Sequence, residues 1–151
     1  MGKQRLILTL ALVLMMFADA PQLSTLPMAF VHHFFHISWW HLAANLLGVW
    51  VCFRRDNWKE LGIAYIIGTL SFLLVCKPCI GFSNIIFAVS GMRMRDWKQS
   101  ALFISIMLAM CFIPRISALT HIVAFSLGFI YERARTIINK ADEDYRRVAD
   151  R

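Results

Sequence analysis

Six apolar segments separated by short polar breaks are the feature that most limits what this chain can fold into. They cover approximately Leu6–Ala18, His36–Phe53, Leu61–Cys76, Phe82–Met92, Ser100–Ile113 and Ala118–Tyr131. Of the 151 residues, 59% are hydrophobic and only 17% are charged, whereas a soluble domain has about 25% charged residues. Because a bilayer accommodates such segments, the composition predicts an all-α membrane protein, a bundle of six transmembrane helices.

Basic residues are confined almost entirely to alternate breaks. Fourteen of the sixteen lie before the first segment, in the second or fourth break, or after the sixth segment, and the other two are Lys77 and Arg115. Cytoplasmic loops of membrane proteins are enriched in lysine and arginine. If all six segments cross, both termini are cytoplasmic, as expected of a multi-pass protein of the bacterial inner membrane. These loops account for the net charge of +7, so no nucleic-acid partner is expected.

The chain is expected to form one membrane domain, residues 1–133, and a charged cytoplasmic tail, residues 134–151. The charges of the tail predict a solvated helix whose basic residues contact anionic headgroups. At the other end, Lys3, Arg5 and the short apolar run that follows resemble a signal peptide. Pro21, directly after the candidate cleavage site, favours retention of this segment.

Polar residues within the apolar segments gather at one depth in the predicted topology, near the outer face. They are His36, His41 and Asn45 on the second segment, Ser83 in the first turn of the fourth, and His121 about one turn into the sixth. His41 and Asn45 are four residues apart, so they project from one helix face. Because ionisable groups at membrane depth usually line a cavity or a reaction site, these residues form the candidate site.

Small residues on the sixth segment predict a close crossing with the fourth. His121, Ala124 and Gly128 share one stripe, in a pattern that lets helix backbones approach closely. Such a crossing brings the Ser83 hydroxyl to the His121 imidazole, which can act as its general base. Asp19 is the only carboxylate on the predicted outer side, so a serine–histidine dyad without a carboxylate is expected.

The start of the fourth segment is suited to an oxyanion. Gly81 precedes Ser83 at the mouth of a short helix, where free N–H groups and the helix dipole favour negative charge. The amide of Asn45 and the ring of His41 add side-chain donors from the second segment. The sequence therefore predicts an oxyanion site beside the serine.

These residues resemble the rhomboid family of intramembrane serine proteases. The resemblance extends over all six segments and is carried by HHFFHISWWHLAAN at 32–45, by GFS at 81–83, and by a histidine followed by small residues at 121–128. Two positions depart from the family pattern, since Asn84 and Ala124 stand where glycine is common. The loop between the first two segments also lacks the family's Trp-Arg pair.

The resemblance implies a serine endopeptidase that needs no cofactor or metal and cleaves transmembrane segments of other proteins within the lipid bilayer. Ser83 would be the nucleophile and His121 the general base and acid. The supporting residues would be His41 and Asn45 as oxyanion donors, Gly81 in the serine motif, His36 upstream, and Phe87 against the catalytic histidine. Because an imidazolium cannot act as a base, activity is expected to fall below the pKa of His121, and a profile that is flat between about pH 5 and 8 would count against the dyad.

Other functions are compatible with parts of the pattern. A metal could be bound by His32, His36 and His41, with His121 as a fourth ligand, although no H-E-x-x-H motif is present. His41 and His121 could instead ligate a haem. A third alternative is a catalytically inactive rhomboid-like scaffold that binds client proteins. Cys76 and Cys79 could form a disulfide, bind a metal or remain free thiols, and the oligomeric state is open.

Overall fold

The computed structural model describes residues 2–18, 26–53, 57–75, 80–110 and 117–150. In these residues the chain forms seven α-helices, one 3-10 helix at His32–Phe34 and no strand. The α-helices are α1 (Lys3–Met15), α2 (Leu26–Val31), α3 (Trp39–Cys52), α4 (Trp58–Val75), α5 (Ser83–Arg93), α6 (Trp97–Met110) and α7 (Ala118–Ala149).

Only α4, among the described helices, is both long enough and apolar enough to cross a bilayer by itself. A helix rises about 1.5 Å per residue, and the hydrocarbon core is about 30 Å thick. The helices α1, α3, α5 and α6 are too short, with 13, 14, 11 and 14 residues, and α7 is long but charged in its second half. The expected six-span rhomboid-like bundle is therefore wrong.

The expected localisation is wrong for the same reason. A multi-pass protein of the bacterial inner membrane, with both termini cytoplasmic and the active site toward the outer face, requires several spans. The described residues provide one candidate span. The alternation of basic residues along the sequence therefore does not define a six-span topology.

The starts of α3 and α4 are set by side-chain caps rather than by the ends of the apolar segments. The second segment begins at His36 in sequence, but α3 begins at Trp39, because the Ser38 hydroxyl accepts a hydrogen bond of 3.2 Å from the backbone N–H of His41. Asn57 likewise caps α4, since its side-chain oxygen accepts from the Glu60 N–H at 3.1 Å. Serine and asparagine are preferred at this position because they satisfy a free N–H of the first turn.

The helices α5 and α7 cross with their backbones in contact. A Cβ atom added to Gly91 would lie 2.0 Å from the Phe125 carbonyl oxygen, and one added to Gly128 would lie 2.2 Å from the Ala88 carbonyl oxygen. The two glycines therefore allow an approach that any side chain would prevent. This is the close crossing that the small residues of the sixth segment predict.

The hydrophobic core surrounds α5. Its buried apolar residues come from five helices: Leu8 and Leu12 of α1, Leu42 and Val49 of α3, Ala64 and Ile67 of α4, Ile85, Ala88, Val89 and Met92 of α5, and Ala124 of α7. The short α5 thus contacts α3, α4 and α7. Because packing on several sides holds it, the position of its first residue is fixed relative to the neighbouring helices.

The helix α7 is continuous across the expected boundary between the membrane domain and the tail, residues 133 and 134. From Arg133 to Asp150 every residue is exposed. Arg146 and Asp142 form an ion pair of 2.9 Å along this exposed half. The tail is therefore the second half of α7, and the division into two parts stays a prediction.

Alanine at Gly91 or at Gly128 is expected to destabilise the fold by about 1–3 kcal/mol or more, because the helix backbones must separate to admit a methyl group. Gly62 on α4 is the matched control, since a Cβ there meets no atom within 4 Å. Gly62→Ala should raise the stability by up to about 1 kcal/mol, as alanine favours the helix. Thermal unfolding followed by circular dichroism measures all three variants, and equal midpoints would contradict the role of the crossing.

Candidate active site

Ser83 and His121 are brought together by the crossing of α5 and α7. Ser83 is the first residue of α5, and His121 lies in the first turn of α7. The Ser83 Oγ atom is 2.8 Å from His121 Nε2. When Nε2 carries no proton, the hydroxyl donates to it, which is the direction that a general base requires. The hydrogen bond expected from the two stripes is therefore present.

An aromatic chain holds the His121 ring in place. Phe87, one turn after Ser83 on α5, stacks on this ring with centroids 4.5 Å apart and planes inclined by 23°. Phe87 also contacts Phe103 of α6 at 5.7 Å, and Phe103 stacks on Phe125 at 4.6 Å. The predicted contact of Phe87 is therefore present. Phe103 was missed, because nothing in the sequence separates it from the other apolar residues of its segment.

Gly81 packs directly against the two predicted oxyanion residues. It has a φ of +114°, a conformation that favours glycine. A Cβ atom at this position would lie 2.6 Å from both Cε1 and Nε2 of His41 and 3.1 Å from Nδ2 of Asn45. The backbone that leads into Ser83 therefore touches both side chains, and only glycine meets the conformational and the spatial requirement.

His41 and Asn45 keep hydrogen-bonding capacity beside this backbone. The Asn45 Nδ2 atom donates to the His41 carbonyl oxygen at 3.1 Å, which uses one of its two N–H groups. The Nδ1 atom of His41 is buried and has no hydrogen-bond partner among the described residues. The other ring nitrogen, Nε2, faces Gly81. Both side chains can therefore donate to an oxygen atom held near the start of α5.

His36 contacts His41 and not the two residues of the dyad. Its ring lies edge-on to that of His41, with centroids 5.2 Å apart and planes inclined by 64°. Both belong to the motif that the sequence places on one segment, but His36 precedes α3 in an irregular stretch. It therefore supports the ring of His41 and has no described contact with Ser83.

His32 links the 3-10 helix to the serine loop through its backbone. Its carbonyl oxygen accepts a hydrogen bond of 3.0 Å from the Gly81 N–H, and its Nδ1 atom is 2.8 Å from the Ala29 carbonyl oxygen. The His33 ring is tilted by 39° to that of His32, with centroids 3.9 Å apart, and its Nε2 atom lies 3.2 Å from Thr69 Oγ1. Sequence reasoning missed this support, because the histidine motif points to a role for the imidazole, whereas Gly81 is held by the backbone carbonyl oxygen of His32.

Burial keeps the imidazoles of the site neutral, and these residues all lie outside α4. Burial first, and repulsion from His41 second, lower the pKa of His121 to about 4. The same two causes, in the same order, lower the pKa of His36 to about 4. Burial also lowers the pKa of His41. Neutral imidazole is the form that accepts a proton, so His121 is in the competent state at neutral pH.

No group of three or more histidine, cysteine, aspartate or glutamate side chains is placed to hold a metal ion in the part of the chain that the structure describes. The histidines instead form pairwise ring contacts. The described residues thus give no geometric support to a metal centre. Cys76, Cys79 and Asp19 lie outside the described residues, so the expectations about them stay untested.

Gly81→Ala is expected to slow the reaction of Ser83 with a fluorophosphonate by at least about tenfold, because alanine disfavours the φ of +114° and its Cβ atom would push His41 aside. The rate of covalent labelling at neutral pH measures the effect. Gly62→Ala, the same change in open space, is the control and should label as wild type does. Normal labelling of Gly81→Ala would mean that the loop has another conformation.

No model of a known protein family matches the chain, and no curated protein matches it. The resemblance to rhomboid proteases is therefore supported by the motifs alone and stays a prediction.

Proposed function

We propose that this chain is a serine endopeptidase with Ser83 as the nucleophile and His121 as the general base and acid. The observation that carries the proposal is the 2.8 Å hydrogen bond between Ser83 Oγ and His121 Nε2. Helical serines usually bond to a carbonyl of their own preceding turn, as Ser71 and Ser90 do here. Ser83 begins its helix and has no preceding turn, so its hydroxyl is directed to a base.

The substrate that we propose is a transmembrane segment of another protein, cleaved at the bilayer, by resemblance to the rhomboid proteases. The surroundings of the dyad support an apolar substrate. Phe87 and Phe103 line the His121 side. Trp39 and Trp40, next to His41 at the start of α3, are 58% and 86% exposed, and tryptophan favours the membrane interface. This proposal needs contact with a membrane and does not need six crossings.

The reaction begins when Ser83 Oγ bonds to the carbonyl carbon of the scissile peptide and its proton passes to His121 Nε2. The carbonyl oxygen becomes negatively charged. The Ser83 N–H at the start of α5, the ring of His41 and the amide of Asn45 donate hydrogen bonds to it. The helix dipole adds to this stabilisation.

Collapse of the tetrahedral intermediate breaks the C–N bond, and His121 returns its proton to the leaving amine. A water molecule then attacks the acyl ester while His121 takes a proton from it. The second collapse breaks the ester bond, and the proton returns to Ser83 Oγ. The scheme uses no cofactor and no carboxylate.

Ser83→Ala is expected to abolish labelling by a fluorophosphonate and cleavage of a model transmembrane substrate. His121→Ala should lower both rates by about a hundredfold or more, because the serine loses its base. Ser105→Ala is the matched control, since the Ser105 hydroxyl is bonded to Ala101 of its own helix and should have no effect. If wild type labels and cleaves no faster than Ser83→Ala, the inactive scaffold is the better description.

The pH profile is expected to be flat from about pH 8 to 5 and to fall at lower pH with a midpoint near 4, where His121 becomes protonated. With this lowered pKa, a flat profile between pH 5 and 8 becomes the result expected of the dyad, in place of a result that would count against it. Labelling rates of Ser83 between pH 3 and 8, about one reading per unit, measure this. A midpoint near 6.5, the ordinary value of histidine, would contradict a buried base.

Acid also destabilises the fold, and the labelling experiment must separate the two effects. Unfolding returns the pKa of His121 and His36 from about 4 to the ordinary 6.5. Between these values the unfolded chain binds more protons, so stability falls as the pH is lowered through this window. Helix content, measured by circular dichroism in each sample, identifies the pH range in which the folded enzyme is being measured.

A further inference from the structure

Two cavities lie on either side of the contact between Arg133 and Phe129, away from Ser83. The first has a volume of about 630 Å³ and is lined by the end of α5, the start of α4 and the middle of α7. The second is a groove of about 330 Å³ between α6 and α7. Neither is lined by a residue of the proposed dyad or its oxyanion donors.

The first cavity has an excess of positive charge. Four arginines and two glutamates line it: Arg93, Arg95, Arg133, Arg135, Glu60 and Glu132. Each glutamate is already paired, since Glu60 binds Arg93 through two contacts of 2.8 Å and Glu132 binds Arg135 at 2.9 Å. Among the described residues, no carboxylate pairs with Arg95 or Arg133. These two charges are therefore available to an anion.

Arg133 is held at the junction of the two cavities. One of its terminal nitrogens donates to the Arg95 carbonyl oxygen, and its guanidinium lies 4.9 Å from the centroid of the Phe129 ring. A guanidinium has five N–H donors in a fixed plane, so others remain for a ligand. Asn57, just before α4, also lines the cavity, and the start of a helix favours negative charge.

The second cavity is apolar and lies on the other side of the contact between Arg133 and Phe129. Trp97, Ile104, Phe129 and Ile130 contribute to its walls. Phe129 is the ring that Arg133 covers, so one residue pair separates the charged cavity from the apolar groove. Such an arrangement fits a ligand that has an anionic group joined to an apolar chain.

We propose that the two cavities bind one anionic phospholipid, with its phosphate between Arg95 and Arg133 and an acyl chain in the groove between α6 and α7. Charge complementarity selects the headgroup, since a zwitterionic lipid would bring an ammonium group among the arginines. The groove selects the chain, since a free anion would leave the apolar walls uncovered. This inference is independent of the proposed endopeptidase activity.

Binding is tested on the full chain in a neutral detergent by native mass spectrometry, with dioctanoyl phosphatidylglycerol as the probe. One molecule should bind in a saturable manner. Arg95→Gln and Arg133→Gln should each weaken binding by about tenfold or more, since each removes a charge-assisted hydrogen bond. Arg146→Gln, an equal loss of charge on the exposed half of α7, should bind as wild type does, and Arg133→Lys should retain part of the affinity.

The groove is tested by a substitution that leaves every charge in place. Ala101 lines the groove and is exposed, so Ala101→Trp should occupy the space of the acyl chain and weaken binding by about tenfold. Ala141→Trp, the same change on the exposed half of α7, is the control and should have no effect.

Three results would overturn the proposal. The first is equal affinity for dioctanoyl phosphatidylcholine, which would mean that the protein does not recognise the charge of the headgroup. The second is equal binding by Arg133→Gln, Arg95→Gln and Arg146→Gln. The third is displacement of the lipid by equimolar inorganic phosphate with no effect of Ala101→Trp, which would make free phosphate the ligand. Labelling of Ser83 is not used, so this experiment can fail while the proposed activity stands.

Discussion

The structure depends on the backbone contact between α5 and α7 at Gly91 and Gly128. Each glycine lies about two turns from one member of the dyad, since Ser83 begins α5 and His121 lies near the start of α7. Side chains at either glycine would meet a carbonyl oxygen at about 2 Å and separate the helices. The distance of 2.8 Å between Ser83 Oγ and His121 Nε2 is therefore set by packing well away from the two reacting atoms.

Around this crossing, the site is made of buried imidazoles that remain neutral. Removing a histidine from water penalises its charged form, which lowers the pKa of His121 and of His36. A neutral His121 can take a proton from Ser83 at any pH well above this lowered pKa. The serine loop is in turn held on both sides, by the His32 carbonyl oxygen and by the side chains that press on Gly81. The burial of His121 keeps the base of the Ser83 hydroxyl neutral, and the backbone conformation at Gly81 holds that hydroxyl in position.

The failure of the six-span expectation has an equally physical reason. Hydropathy sums the free energies of transferring residues to an apolar phase. Crossing a bilayer requires, in addition, a continuous helix of about 20 residues. Caps such as Ser38 shorten the helices inside the apolar segments. The six apolar segments therefore overlap six of the seven described α-helices, but they missed α2 and could not predict the helix lengths. The apolar excess agrees with surfaces for apolar ligands, including the groove between α6 and α7.

The sequence by itself determined the helical character of the six segments and predicted the residues of the candidate site. Helical spacing put His41 with Asn45 on one face, and the small residues near Gly128 indicated a close crossing. Only the tertiary structure decided that Gly81 touches His41, that the His32 carbonyl holds Gly81, that Phe103 completes the aromatic chain, and that Arg133 donates to the Arg95 carbonyl oxygen. These contacts join residues far apart in sequence, often through backbone atoms. A local pattern of side chains carries no information about such pairs.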